Sequence, residues 1–531
     1  MIGPLIRLLD RSARISLAAS LAFAVIGAIR IVSTYHVFNQ TWDEPYSLSC
    51  GIEWLQSGTY ELDPKHPPLG RVAAAALPFL HGARSSANLN PTLDGNAILG
   101  SGESYRERLF SARLGTLPFF LISCIALWGW SWWALGSETA AIAVLLFSSL
   151  PSVLGHAGMA MTDIALVATL PLALFSFCLW LNRPTMARSL CLGLAAGFAI
   201  LSKFTAFPFL AVCGVLLIAA RQRLADPPPE KSTLKLTMLR LTRLAVASFF
   251  AAVVIWAGYR FSLTWTPGGV PVLAQPFFDG LSDLWQRNQE GTVEYFLGDR
   301  RMTGWIYYYP TIFLVKSPIA FLLLLLAGLV FLTRTRPRTW PMSTMIAVMV
   351  GMFLVGTLSK VNEGIRHMLA VYVPLAALAA FGARSLFATG ITGRAVAILL
   401  VGWQLISSAA AHPDYLPYFN ELARSRAETG AFGVDSDLDW GQDLWRLSEA
   451  CQRHQIRSLW IAYNGSADLD QAAQLGEWHS LPSRERKEGW VAVSINKLKL
   501  GQYGDFEAYS WIEQYQPVER VGKSILLYFI E

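Results

Sequence analysis

Apolar residues fall in long blocks joined by short polar connections. About eleven blocks reach or approach the ~20 residues a helix needs to cross a bilayer. They cover residues 15–35, 109–130, 139–155, 164–181, 190–202, 204–220, 244–259, 309–332, 341–358, 368–382 and 395–411. In the segment 36–108, residues 71–80 are apolar but too short to span, which predicts a helix along the membrane interface. Beyond residue 411 the pattern shortens. Residues 441–454 and 505–515 have helical spacing, while 458–463, 490–495 and 524–530 read as buried strands. The expected fold class is an all-α polytopic membrane domain of about 11 transmembrane helices followed by a small C-terminal α/β soluble domain. The expected domains are residues 1–411, with outward loops 36–108 and 260–308, and residues 412–531.

Composition narrows the class. Hydrophobic residues make up 53% of the 531-residue chain and charged residues 15%, against about 25% charged in soluble domains. That excludes a soluble or disordered chain. Net charge is +6 overall, but the residues from His412 onward hold 12 Lys/Arg and 18 Asp/Glu. The body is therefore basic and the tail acidic. The cations lie in short connections between apolar blocks, so they point to membrane topology and not to nucleic acid. Arg7, Arg11 and Arg14, Arg183 and Arg188, the run from Arg221 to Arg243 (Lys231 within it), Arg334, Arg336 and Arg338, and Arg384 and Arg394 fall on alternate connections. The positive-inside rule then predicts a multi-pass inner-membrane protein with a cytoplasmic N-terminus and an extracytoplasmic C-terminal domain. The first block reads as a retained anchor, and the proline run 227–229 as a plain cytoplasmic linker. Cys50 and Cys451 both fall on the outer side, where one disulfide is conceivable, but packing is the expected role of all six cysteines.

Charged residues gather at the outward ends of the blocks. Asp43 and Glu44 follow the first; Lys65 and His66 lie about twenty residues on. Arg113, Asp163, Lys203, Glu363, Arg366 and His367 mark later block ends, and Lys316 falls inside one. Each alone could be a solvated or snorkelling side chain. Together they suggest a cavity holding carboxylates and cations, since charge within a membrane usually marks function. Near an interface, partial desolvation suits a carboxylate to general-base work. Asp435, Asp437 and Asp439 imitate the opening of a calcium loop, but Trp440 and Arg446 stand where such a loop needs Gly and Glu. A helix-capping turn is the expected role. Asn39 and Asn464 begin sequences of the N-glycosylation type.

The ordered motifs D-E-x-Y and H-P-P-L after the first block, a later T-D, then G-L-A-A-G-F-A-I-L-S-K-F-T and R-H-M-L-A-V-Y-V-P-L carry a resemblance over roughly residues 10–380. This series resembles the polytopic GT-C glycosyltransferases that use polyprenyl-phosphate sugars, including protein O-mannosyltransferases and lipid A aminoarabinose transferases. The tail stretch V-D-S-D-L-D-W-G-Q-D-L resembles a segment of bacterial members of the same group. The resemblance implies a membrane glycosyltransferase with a polyprenyl-phosphate-linked sugar donor and a lipid, glycan or protein acceptor. Asp43 then matches the first-loop catalytic Asp and Asp163 the second-loop carboxylate, with Glu44 beside Asp43. Lys203, Arg366 and His367, with Arg113 and Lys316, are the expected donor-phosphate cations. His66 stands where aminoarabinose transferases carry a functional Lys, and its neighbour Lys65 could substitute; these two and Glu363 are the expected substrate contacts. No tight metal motif occurs, so no cofactor is required, although Asp43, Glu44, His66, Asp163, Glu363 and His367 could hold a divalent ion. The competing reading is a lipid or sugar transporter, which would place its site near the midplane on broken helices in matched halves.

Overall fold

The computed structural model describes residues 10–531 except 87, 103, 225–233, 266–267, 335–338, 429 and 503. The proline run 227–229 and the cations Arg7, Lys231, Arg336 and Arg338 lie outside the described residues.

Each apolar block forms helix. Among the described residues, eight helices are long and apolar enough to cross a membrane: Arg11–Val32, Tyr105–Leu135, Asp163–Asn182, Ala206–Leu224, Leu236–Gly258, Trp340–Leu358, Ile365–Ala388 and Ile391–Ala410. A ninth apolar helix, Met186–Ser202, has 17 residues. Two blocks are broken: Ser137–Phe147 bends by 66° into Pro151–Ala157, and Tyr308–Lys316 bends by 115° into Ile319–Arg334. If each bent pair is one span, ten long spans and the shorter helix account for the eleven blocks.

Proline explains where the breaks fall. Pro151 and Pro318 lack an N–H and force the preceding residue out of helical geometry; Leu150 and Ser317 are extended, with ψ of 121° and 137°. A broken helix frees carbonyls that lipid cannot satisfy. One side chain from beyond the last span does much of this work. Asn420 Nδ2 donates to Leu314 O at 2.7 Å and to Ser317 O at 3.0 Å, while its backbone N–H donates to Val315 O at 2.8 Å. Ser152 Oγ, from the other broken block, donates to Lys316 O at 3.0 Å.

The apolar stretch at 71–80 lies within the helix Pro68–Leu80, which packs between Glu44–Gln56 and Tyr105–Leu135. Two glycines permit the approach. A Cβ on Gly51 would sit 2.2 Å from Arg71 O, and one on Gly115 would sit 2.1 Å from Ala73 O.

In the tail a five-stranded sheet runs in the order Glu477–Ser480, Ser458–Ala462, Gly489–Ser494, Ile525–Ile530, Glu519–Val521. The first three strands are parallel and the last two pair antiparallel. The short edge strands at 477–480 and 519–521 carried no clear alternation in the sequence. The helix expected at 505–515 is reduced to a 3-10 turn at Ser510–Gln514; turns at 505–510, closed by Ala508 N to Asp505 O and Ser510 N to Glu507 O, replace its first part. The sheet has a core on each face. Tyr415, Phe419, Phe432, Val434 and Leu438 instead belong to the same apolar cluster as the membrane helices. All six cysteines are free, so Cys50 and Cys451 are not bridged.

Candidate active site

Asp43 stands at the start of the Glu44–Gln56 helix but makes no capping bond with its side chain. Its carboxylate, 37% exposed, instead accepts from Arg366 Nη1 at 3.0 Å. Glu44, one residue on, points inward. Its two oxygens accept from Arg113 Nε and Nη2 at 2.8 Å each, Thr41 N at 2.7 Å and Ala160 N at 2.9 Å. Burial raises its pKa, but Arg113 and the N–H donors outweigh burial and leave it lowered. Glu44 thus ties the loop that carries Asp43 to the turn that leads into Asp163. Arg113 is fully engaged: besides Glu44 it donates to the carbonyls of Tyr35, Phe38 and Asn39.

Asp163 opens the Asp163–Asn182 helix and is buried. It accepts from Lys203 Nζ at 2.6 Å, the residue that caps the Met186–Ser202 helix. Arg366 and His367 lie within electrostatic reach of Asp163 as well. Arg366 itself reaches two ways. Nη1 goes to Asp43, and Nη2 donates to Glu363 Oε2 at 2.8 Å. Arg287 donates to the other Glu363 oxygen, and His367 Nε2 lies 3.6 Å from Oε2. Burial would raise the Glu363 pKa, yet the His367 hydrogen bond and the Arg366 and Arg287 charges hold it well below the usual range. The next residue, Gly364, takes a φ of +79°, which a residue with a Cβ rarely adopts, and the chain turns there into Arg366.

The H-P-P-L motif forms a side wall. His66 Nδ1 lies 3.0 Å from Asp63 Oδ2 and 3.1 Å from Arg71 Nη2, with Lys203 in electrostatic range. Arg71 Nη2 donates to Asp63 at 2.5 Å. Burial opposes the charge on Asp63, but Arg71 and His66 outweigh it and lower the pKa. Lys65 is exposed at the surface of this wall. Behind it, Gly70 lets the Pro68–Leu80 helix press on Thr162, where a Cβ would come within 2.9 Å of Thr162 Cα.

The block pattern places Lys316 inside a continuous span. It sits instead at the 115° break, buried, with Nζ donating to Leu416 O at 2.7 Å and Asp437 O at 2.9 Å. Its ammonium also lies 4.4 Å from the Phe419 ring centre.

The structure therefore gathers Asp43, Asp163, Lys203, Glu363, Arg366 and His367, with His66 on one wall. Arg113, Glu44 and Lys316 are bound into the frame. Sequence reasoning missed Arg287, Asp63, Arg71, Trp440 and Asp435. Trp440 stacks on Arg366, its ring centre 4.5 Å from the guanidinium carbon. Asp435 is partly buried, with Arg366, Glu363 and Asp43 as its charged neighbours; burial pushes its pKa up to about 7. The three tail aspartates do not cap the helix that follows them, Leu444–Arg453, whose N-cap is Asp443; two of them meet the N-terminal N–H groups of other helical segments. Asp437 accepts from Ile365 N at 3.0 Å, and Asp439 accepts from Asn496 N at 2.9 Å. Among the described residues no three His, Cys, Asp or Glu side chains converge as a metal-binding group. Asn39 and Asn464 are both buried.

Residues 105–256 match the model of the dolichyl-phosphate-mannose-protein mannosyltransferase family. No curated protein matches the sequence. Among solved structures, ArnT from Cupriavidus metallidurans bound to undecaprenyl phosphate superposes with a TM-score of 0.51 at 13% identity, covering 95% of this chain and 97% of that one. The apo oligosaccharyltransferase of Archaeoglobus fulgidus superposes with a TM-score of 0.50 at 13% identity, covering 94% of this chain and 72% of that one. The chain is thus a multi-pass membrane protein that shares the fold of these two transferases, and its residues 105–256 match the mannosyltransferase family model.

Proposed function

We propose that this chain is an integral-membrane glycosyltransferase that moves a sugar from a polyprenyl-phosphate carrier to an acceptor hydroxyl or phosphate at the outer face of the inner membrane. The observation that carries this reading is Arg366, a cation held between Asp43 and Glu363 beside the Asp163–Lys203 pair. The phosphate of the donor competes with Asp43 for Arg366; Lys203 adds positive charge, and His367 offers a ring N–H as a hydrogen-bond donor. A guanidinium suits bidentate contact with phosphate oxygens. Once Arg366 turns to the phosphate, Asp43 is released to take the acceptor proton. The acceptor oxygen then attacks the anomeric carbon. The carbon–oxygen bond to phosphate breaks, and the electron pair leaves on the polyprenyl phosphate, stabilised by the same cations. This single displacement inverts the anomeric centre.

In this reading Asp163 orients Lys203. Glu44, Arg113 and Lys316 are positioning residues and not base or phosphate ligands, because their polar atoms are already engaged. His66 and Lys65 border the sugar. The N-terminus faces the cytoplasm and the tail faces outward, so flipped carriers meet the site. In this reading the chain's own cations, Arg366 and Lys203, neutralise the phosphate charge.

The test is transfer of radiolabelled sugar from polyprenyl phosphate in membranes containing the protein. The expected result is label on a lipid, glycan or protein acceptor together with free polyprenyl phosphate. Movement of intact donor across sealed vesicles without bond cleavage would favour the transporter reading instead.

A further inference from the structure

The V-D-S-D-L-D-W-G-Q-D-L stretch lies across the candidate site. Its main chain grips the first loop: Trp440 O accepts from Trp42 N at 3.0 Å, and Gln442 O accepts from Asn39 N at 3.0 Å. Trp42 directly precedes Asp43. On the membrane side, Asp437 accepts from Ile365 N, directly before Arg366, and its backbone carbonyl receives Lys316 Nζ. On the sheet side, Asp439 accepts from Asn496 N, and Asp443 accepts from Ser524 Oγ at 2.8 Å. The Trp440 ring, 2% exposed, covers the Arg366 guanidinium.

From this geometry we propose that the 435–443 strap is part of the active site and that Trp440 is a positioning residue. It holds Arg366 in the plane that receives the donor phosphate and holds the Asp43 loop against it. The inference rests on Arg366 being the phosphate ligand. A ring face stabilises a desolvated guanidinium without offering it an anionic partner. Arg366 can therefore leave Asp43 for the phosphate while still stacked, so the strap keeps the cation aimed during the exchange. A carboxylate in place of the ring would compete with the phosphate; an aliphatic side chain would leave the guanidinium free to swing.

The experiment measures the affinity of the purified full-length protein for undecaprenyl phosphate. Variants are Arg366→Ala, Trp440→Tyr, Trp440→Phe, Trp440→Leu and the double variant Arg366→Ala/Trp440→Leu, with melting temperatures recorded for each. Trp440→Leu is expected to weaken binding about 3- to 30-fold. Trp440→Tyr and Trp440→Phe should retain most of it at wild-type melting temperature, because they keep a ring face. In the Arg366→Ala background Trp440→Leu should change binding less than twofold. Unchanged binding by Arg366→Ala overturns the phosphate role of Arg366. Weakened binding by Arg366→Ala with wild-type binding by Trp440→Leu overturns the positioning role alone. Equal losses from Trp440→Leu in both backgrounds, or affinities that track melting temperature, also overturn it by making Trp440 merely structural. Should Trp440→Leu fail to fold, the ring-retaining pair decides: a tenfold loss in either at unchanged melting temperature sinks the proposal.

Discussion

Asp43 and Glu44 are neighbours in sequence and opposites in environment. Asp43 is partly exposed and shares Arg366, whereas Glu44 is buried with five donors on two oxygens. Conservative substitutions should separate them. Asp43→Asn keeps the shape but cannot take a proton, so transfer should fall ~10²–10⁴-fold. Donor affinity should rise, since the neutral amide competes less for Arg366, while the melting temperature holds. Near wild-type transfer by purified Asp43→Asn protein would remove Asp43 as the base. Glu44→Gln leaves the Arg113 charge buried and unpaired, a change of the kind that costs ~3–5 kcal/mol. Its signature is a lower melting temperature. The lowered Glu44 pKa also has a sign: its stabilisation is present above the unfolded carboxylate range and is lost as pH falls through the folded value.

Asp435 predicts a different pH effect. Its raised pKa keeps it neutral below about pH 7. Above that it ionises beside Arg366 and competes with the donor phosphate. Donor affinity should therefore fall about tenfold as pH rises from 6 to 8, the size of one charge–charge interaction across roughly 12 Å at an effective dielectric constant of about 20. The phosphodiester donor does not titrate in this range, so the inflection belongs to the protein. Asp435→Asn should flatten the profile; a persistent inflection in that variant assigns it to another group.

At the scale of elements, the broken helices decide where the site can form. The 115° bend before Ile319 places Lys316 and the 314–317 carbonyls against the tail. Asn420 is the closure. Asn420→Leu has similar bulk but no donor, and it strands Leu314 O and Ser317 O in an apolar setting. Each unsatisfied group costs ~1–3 kcal/mol. Thermal unfolding in detergent should show a clear loss for Asn420→Leu, whereas Leu422→Ala, at an exposed position nearby, should melt as wild type. Equal melting of the two would show that other groups satisfy the break. The close contacts at Gly51 and Gly115 act similarly: they set how near the Pro68–Leu80 helix lies to its neighbours, and so where His66 stands.

At the scale of the whole molecule, orientation carries the mechanism. The cation asymmetry predicts that a reporter fused after Glu531 is active only outside the cytoplasm and one inserted between Arg183 and Arg188 only inside. Reversed activities would put the candidate site on the face where the flipped donor is absent. The tail also behaves as two parts. Tyr415, Phe419, Phe432, Val434 and Leu438 share the core of the membrane helices, while the sheet beyond has its own cores. A protein ending at Ala411 should lose donor binding, because the strap and Asn420 leave with the tail.

The span pattern was legible because lipid imposes a simple rule: about twenty apolar residues with every backbone group paired internally. The strands at 458–462, 489–494 and 525–530 were legible from short apolar runs, and the carboxylates and cations that meet in the candidate site from their place at block ends and from ordered motifs. Their partners were not. Asp43 meets Arg366 across 323 residues and Lys203 meets Asp163 across 40, and no local periodicity encodes such pairs. The acidic tail stretch looked like a helix cap because spacing alone does not reveal that its carboxylates and carbonyls answer N–H groups in three separate elements. The sequence by itself determined a basic, many-span membrane body with an acidic α/β tail and charges at one side. Tertiary structure alone decided which charges are frame and which remain open to a substrate. That choice depends on which donors and acceptors burial brings within about 3 Å, where a hydrogen bond is made or left unmade.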